Sequence, residues 1–315
     1  MISHKSNIIV SICCLSFNHA PFIRKALDGF LMQEPPSCMP KDAKLSDWCE
    51  ILIHDDCSTD GTDVIIREYA AQYPDVIFPL YEEVNQFTRG GRGRMDLYNY
   101  NRAKGKYIAY CEGDDYWTDS YKLQKQVDFL DAHPDYSVCW HRCKQLLAHA
   151  NQLYEDECGK ILPTDAEGID MDMDTYFSGW YTQPLTMVFR MSSFDFEWRD
   201  RYKYYRDMHE MYHLLKAGKG YLFAFDGGVY VKHSGGIASE ISREKYCEVS
   251  LPMDGEFYWK THAKGARKIY IETLDVCVRT YADSEKWKAL RCVIIRFLIS
   301  WHPHTFFRQI KGLIM

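Results

Sequence analysis

The sequence predicts an α/β fold, a sandwich of helices packed on a central, mostly parallel mixed sheet. Three observations lead there. Short, apolar, β-branched runs alternate with amphipathic stretches along the first 130 residues. Two of those runs end in acidic clusters, which is where a parallel sheet gathers its ligands. A chain of 315 residues, 46% apolar and 26% charged, can also bury one large core or two smaller ones.

Residues 8–16 read as a buried strand, and Asn18-His19-Ala20-Pro21 as the turn into a helix whose Ile23, Ala26, Leu27, Phe30 and Leu31 form one apolar stripe. After a polar insertion from Glu34 to Asp47, Glu50 to His54 forms a second strand running into Asp55-Asp56-Cys57-Ser58-Thr59-Asp60-Gly61-Thr62. Ser58 to Asp60 can cap the next helix, which carries Val64, Ile65 and Tyr69. Val76 to Leu80 is a third strand, and Asn85 to Arg94 a glycine-rich, positive surface loop. Lys106 to Cys111 is a fourth strand ending in Glu112-Gly113-Asp114-Asp115, with Leu123, Val127 and Leu130 spaced for the helix behind it.

Farther along, a strand is expected over 138–147, an exposed turn over 165–174 and a strand over 186–190. A helix over about 207–217 then precedes strands at 221–225 and 228–233. Beyond Gly236 the pattern turns helical, ending in an amphipathic stretch from Trp287 to Trp301. This divides the chain into a core over 1–236 and a helical accessory region over 237–315.

Charge and cysteine usage narrow the function. Lys and Arg total 38 against 44 Asp and Glu, for a net charge of −6, so no basic excess exists to hold a nucleic-acid backbone and general nucleic-acid binding is not expected. The 12 scattered cysteines form neither a disulfide framework nor paired zinc hooks and read as reduced core thiols. The start, Met1 to Asn7 followed by Ile8-Ile9-Val10, lacks the apolar run of a signal peptide, and no window supplies the ~20 apolar residues of a membrane span. A cytoplasmic location is expected, at the inner face of the cytoplasmic membrane if the C-terminal stretch docks there.

The acids at the strand ends carry the chemistry. In Glu112-Gly113-Asp114 the two-residue offset can direct both carboxylates at one hard cation, and glycine lets the backbone turn closely around a ligand. Such a cation would neutralise a diphosphate. Asp114 is the principal metal ligand on this reading, Glu112 an indirect metal or ribose contact, and Asp115 a loop-orienting or donor-binding acid. Asp55 and Asp56 can accept hydrogen bonds from a base or ribose.

Together, Ser16-Phe17-Asn18, Asp55-Asp56-Cys57-Ser58-Thr59-Asp60-Gly61-Thr62, Ala103-Lys104-Gly105-Lys106-Tyr107-Ile108 and Glu112-Gly113-Asp114-Asp115-Tyr116-Trp117 resemble, in consistent order over 8–130, the inverting family 2 nucleotide-sugar glycosyltransferases. The resemblance implies a GT-A fold. It implies a donor site for a nucleoside diphosphate sugar that includes Ser16, Asn18, Asp55, Asp56 and Asp115. Glu112 and Asp114 would occupy the DxD positions around Mg²⁺ or Mn²⁺, with glutamate replacing the first aspartate. Asp207, opening the segment Asp207 to Gly218, resembles the family's acceptor-side acid and is the candidate general base, with Glu210 the competing choice. Tyr230 to Gly236 resembles the later segment in which a histidine, here His233, approaches the metal or diphosphate.

The expected reaction transfers a sugar to an acceptor hydroxyl, in cell-surface polysaccharide or glycolipid synthesis. The alternatives are a noncatalytic carbohydrate-binding or scaffold protein, and a nucleotidyltransferase. The turn after the first strand is not the glycine-rich diphosphate turn of a dehydrogenase. Arg89, Arg92 and Arg94 could close over an anion, Lys232 could meet phosphate, and Trp117, Trp180 and Tyr181 could stack on sugar faces. The C-terminal stretch, with Ile294, Phe297 and Leu298 beside Arg291 and Arg296, fits peripheral membrane contact or a homodimer face.

Overall fold

The computed structural model describes residues 8–91, 95–179, 181–236 and 241–314. Met1 to Asn7, Arg92 to Arg94 of the basic loop and Trp180 lie outside the described residues. The chain forms two compact units. One comprises Met1–Asp172, Trp180–Phe196 and Arg206–His233; the other comprises Met173–Gly179, Glu197–Tyr205 and Ser234–Met315. The second unit therefore draws on two earlier segments besides the C-terminal helices.

The first unit is built on a ten-stranded sheet: β1 (Val10–Ser16), β2 (Cys49–Asp55), β3 (Ile77–Tyr81), β4 (Tyr107–Tyr110), β5 (Tyr116–Trp117), β6 (Tyr136–Leu147), β7 (Gln152–Tyr154), β8 (Gly168–Met171), β9 (Val188–Arg190) and β10 (Lys219–Lys232). The order is β3-β2-β1-β4-β9-β6-β10-β5, with β7 on β6 and β8 on β10. The longest ladders, β1–β2 and β6–β10, are parallel, while β9 and β5 run antiparallel to their neighbours. This is the GT-A arrangement of a mixed, mostly parallel sheet.

The β1 and β2 strands are near-continuously buried, as strands covered on both faces must be. The helix Ile23–Leu31 contributes the buried Ile23, Ala26, Leu27 and Phe30 to the core around Val10, Ile12, Ile51 and Ile53. The second unit has its own core, where Cys247, Leu274, Cys277, Cys292 and Val293 meet from the helices Arg243–Thr261, Lys264–Tyr281 and Lys286–Ser300.

Several local expectations are corrected. The stretch 165–174 is not just an exposed turn: Gly168–Met171 pairs antiparallel with Gly220 to Phe223, because β10 offers that segment an open backbone edge. The expected strands at 221–225 and 228–233 are one strand, interrupted only by register shifts against β6 between Leu222 and Gly228. Strand β9 begins at Val188, since Pro184–Thr186 winds into a 3₁₀ turn. In the helix Thr62–Gln72 the buried positions are Thr62 and Ile66, whereas Val64 is 54% exposed. In the described part of the basic loop, Phe87–Gly91 forms a π turn. Trp117 is a core residue, its indole N–H donating to the Leu185 carbonyl, so it is not a surface for stacking sugar. A last helix, Pro303–Ile314, follows the expected one.

Candidate active site

Parallel pairing on both sides of β1 brings three loops to one sheet end. Ser16 of β1 lies in register with Asp55 of β2, and Cys13 with Tyr110 of β4. Past Tyr110 the alignment continues, with the Cys111 and Gly113 amides donating to Cys13 and Leu15 carbonyls at 3.2 and 2.8 Å. Asp114 therefore emerges opposite the turn that follows β1.

That turn is fastened to the Asp55 loop. Asn18, in the left-handed region at φ 54°, accepts the Thr59 amide on Oδ1 at 2.8 Å and donates its own amide to Ser58 Oγ at 2.9 Å. The His19 amide donates to Thr62 Oγ1 at 2.8 Å and the Ala20 amide to Asp60 Oδ2 at 2.9 Å. Asp60 also accepts the Thr62 amide, so the loop acid, with left-handed Gly61 behind it, starts the helix. Asn18 and Ser58 to Thr62 thus serve to hold His19 in place.

Both acids at the end of β2 are buried and engaged. Asp55 accepts the Ser58 amide and hydroxyl at 3.1 and 2.6 Å, and its carboxyl is raised above the usual range by burial, against the pull of those bonds. Asp56 accepts the Gln86 and Phe87 amides at 2.6 and 3.1 Å, anchoring the start of the basic loop.

The acids after β4 divide by partner. Asp115 is pinned to β10, accepting the Val231 amide on Oδ1 at 2.7 Å. Asp114 Oδ2 lies 3.0 Å from His233 Nε2 and 3.6 Å from His19 Nε2. Burial opposes ionisation of Asp114, but the His233 hydrogen bond and the neighbouring imidazoles outweigh it and hold the carboxyl low. His19 is lowered, mainly by burial, and so is neutral and able to ligate at pH 7. Phe22 packs on the His233 ring with centroids 4.6 Å apart.

Glu112 behaves differently. Burial, then the charges of Asp114 and Asp207, push it up to about 8, so in the metal-free protein it is largely protonated at neutral pH. Asp207 is therefore near enough for its charge to act on Glu112. Asp207 opens the helix Asp207–Ala217 and is exposed by surface area, and the protein around its carboxyl raises its pKa. Glu210 is instead buried and accepts the Tyr100 hydroxyl at 2.9 Å. Tyr230 on β10 is raised by burial and by the charges of Asp115, Glu112, Asp114 and Asp207.

The donor set fits a cation. Asp114, His19 and His233 present ligand atoms all within 4.8 Å of one another, as do Glu112, Asp114 and Asp115. Asp114 Oδ1, His19 Nδ1 and Ser16 Oγ are buried without a hydrogen-bond partner among the described residues. Such orphaned polar atoms are costly unless something binds them. Glycine keeps the space between the acids open: a Cβ on Gly113 would stand 2.8 Å from Ile23 Cδ1, 3.0 Å from His19 Nδ1 and 3.1 Å from Ser16 Oγ. His19 and Tyr230 were missed in the sequence. The register that puts the residues after Ser16 opposite Gly113 is the signal that identifies His19. A groove of about 690 Å³, lined by aromatics including Phe129, Tyr221 and Phe223, shares no residue with this cluster.

Comparisons with known proteins agree with this fold. The family model for glycosyl transferase family 2 matches residues 11–194. An uncharacterised protein of Mycobacterium tuberculosis is 35% identical over 182 residues, 58% of this chain and 46% of that protein, so the chain spans about half the length of this relative. TuaG of Bacillus subtilis, a putative teichuronic acid biosynthesis glycosyltransferase, is 32% identical over 122 residues, 39% of this chain and 42% of TuaG. Among solved structures, Staphylococcus aureus TarS 1–349 with UDP-GlcNAc superposes with a TM-score of 0.64 at 17% identity, covering 93% of this chain and 81% of that one. The Pyrobaculum calidifontis mannosyltransferase PcManGT with GDP-Man and Mn²⁺ gives 0.52 at 15% identity, covering 97% and 84%. By sequence and by fold, the chain belongs to glycosyl transferase family 2 and adopts the GT-A fold.

Proposed function

We propose that this chain is a metal-dependent, inverting glycosyltransferase that moves a sugar from a nucleoside diphosphate donor to an acceptor hydroxyl in cell-surface polysaccharide or glycolipid synthesis. The observation that carries this reading is the meeting of Asp114, His19 and His233 at the sheet end, with Asp207 close enough to raise Glu112. The substrate class draws support from relatives: TuaG is named for teichuronic acid biosynthesis, and TarS and PcManGT were solved with nucleotide sugars.

On this reading the nucleoside end rests against the Asp55–Asp56 loop, with Ser16 and Asn18 beside it. Asp114, His19 and His233 hold the ion. Two imidazoles beside one carboxylate favour Mn²⁺ over Mg²⁺, which prefers an all-oxygen shell. When bound, the ion supplies positive charge against the diphosphate. Glu112, neutral in the metal-free protein, would serve the ribose or the ion's surroundings as a hydrogen-bonding group. Asp115 fixes the loop through Val231.

Asp207 accepts the proton of the acceptor hydroxyl as that oxygen bonds to the anomeric carbon. The bond from that carbon to the diphosphate oxygen breaks, its electron pair leaves with the nucleoside diphosphate, and attack from the opposite face inverts the centre. A raised pKa makes Asp207 a stronger base. The 12 free thiols, ten of them buried, fit a reducing, cytoplasmic setting.

Purified chain incubated with UDP-, GDP- and dTDP-sugars and Mn²⁺ or Mg²⁺ tests the reading through nucleotide release and product mass. Release of nucleoside diphosphate supports it. Pyrophosphate release from a nucleoside triphosphate would favour the nucleotidyltransferase, and sugar binding without turnover the noncatalytic alternative.

A further inference from the structure

The C-terminal helices present a face that solvent alone does not explain. In the helix Lys286–Ser300 the buried positions Ala289, Cys292, Val293 and Ile299 pack inward on the helical unit's own core. On the opposite side, Trp287, Arg291, Ile294 and Leu298 recur at helical spacing, and Trp301 at the cap extends the row. Trp287 is 84% exposed, Ile294 44%, Leu298 66% and Trp301 71%. In the next helix, Pro303–Ile314, Phe307 is 67% exposed. A groove of about 360 Å³ lined by Lys286, Trp287, Leu290, Ile310 and Leu313 opens beside this row.

Charge identifies what covers it. Residues 286–315 contain six Lys or Arg and no Asp or Glu, in a chain whose net charge is −6. Arg296 is engaged by Asp275 and Lys288 by Glu285, whereas Lys286, Arg291, Arg308 and Lys311 are exposed along the aromatic row. No helix among the described residues is long and apolar enough to cross a membrane. Tryptophans and leucine on one face, flanked by cations, make an element that lies in the headgroup layer. We infer that the Lys286–Ile314 helices dock on the surface of an anionic phospholipid bilayer, with Trp287, Ile294, Leu298 and Trp301 entering the acyl boundary and Lys286, Arg291, Arg308 and Lys311 meeting lipid phosphates.

The inference is independent of the transfer chemistry, because vesicle binding needs neither donor nor acceptor. The test is co-sedimentation of the full chain with phosphatidylcholine vesicles with and without phosphatidylglycerol, alongside its oligomeric state by light scattering. The expected result is recovery with phosphatidylglycerol vesicles that weakens at high salt. Leu298→Ser or Trp301→Ser lowers the partition coefficient by about tenfold. Arg291→Gln lowers it by about fivefold, and only on anionic vesicles. All three positions are exposed, so unchanged thermal melts are expected to certify folding. Equal, negligible recovery with both vesicle types would overturn the inference. So would a dimer in solution that Leu298→Ser converts to monomer, since a second copy would then cover the row.

Discussion

Gly113→Ala isolates the central geometric claim, that a bare backbone between Glu112 and Asp114 is what lets His19 reach the carboxylate. The added methyl meets the ends of three side chains, Ile23 Cδ1 at 2.8 Å, His19 Nδ1 at 3.0 Å and Ser16 Oγ at 3.1 Å. Side chains can give way by a few tenths of an ångström, so the fold should survive with an overpacking cost of about 1–3 kcal/mol, a fall in Tm of roughly 2–10 °C. The same displacement moves His19 away from Asp114, and Mn²⁺ affinity should fall by about 10- to 100-fold, as when the support of a metal ligand is removed. Calorimetric Mn²⁺ titration of the folded variant reads this directly. Gly105→Ala is the control: its Cβ would lie 2.4 Å from the Ser11 backbone nitrogen, where nothing flexible can yield, so it should damage stability more and leave the ion site of any surviving folded fraction unchanged. A Gly113→Ala protein with lowered Tm and unaltered Mn²⁺ affinity would refute the reasoning.

Three other outcomes follow from the structure. His19→Ala and His233→Ala should each weaken Mn²⁺ binding by about 100-fold or more with little change in Tm, measured by Mn²⁺ electron paramagnetic resonance; retained affinity in both would remove the imidazoles from the site. Asp207→Asn should lower kcat by roughly 10²- to 10⁴-fold while leaving nucleoside diphosphate binding intact, whereas a loss confined to binding would contradict a base. Lys122 is fully buried with its ammonium 4.0 Å from the Trp117 ring centre and no hydrogen-bond partner among the described residues, and burial lowers its pKa from 10.5 to about 7. Between those values the unfolded chain holds a proton that the folded one lacks, so this group makes stability rise with pH by about 1.4 kcal/mol per unit, with no further loss below pH 7. Lys122→Met should stabilise the protein at pH 7 by about 1–3 kcal/mol and flatten that slope in denaturant titrations, and an unchanged slope would show that Lys122 is not the source.

The parts of the site that were legible in the sequence are those that local pattern determines. A strand such as Glu50 to His54 is apolar because both faces are covered, and the acids after it must then stand at the sheet's edge. The same logic exposed Glu112 and Asp114, whereas Asp207, the first residue of its helix, was marked by the resemblance of the segment Asp207 to Gly218 to the family's acceptor-side acid. What escaped depends on pairing between distant segments. His19 sits in a turn that any polar residue could occupy, and only the β1–β4 register brings it to Asp114. Trp117 reads the same on a sugar shelf or in a core until Phe30 packs against it, with ring centroids 4.8 Å apart. The segment Gly168–Met171 has little strand character of its own and is ordered by the free edge of β10.

The most direct test is UDP, GDP and dTDP binding measured calorimetrically with and without Mn²⁺, in the wild-type chain and in Asp114→Ala. At least one nucleotide should bind the wild type far more tightly with Mn²⁺, and that gain should vanish in Asp114→Ala, whose carboxylate is the only one contacting both His19 and His233 among the described residues. Metal-independent binding in the wild type, or an undiminished Mn²⁺ effect in Asp114→Ala, would contradict the assignment of this cluster as the ion-binding centre of the transferase.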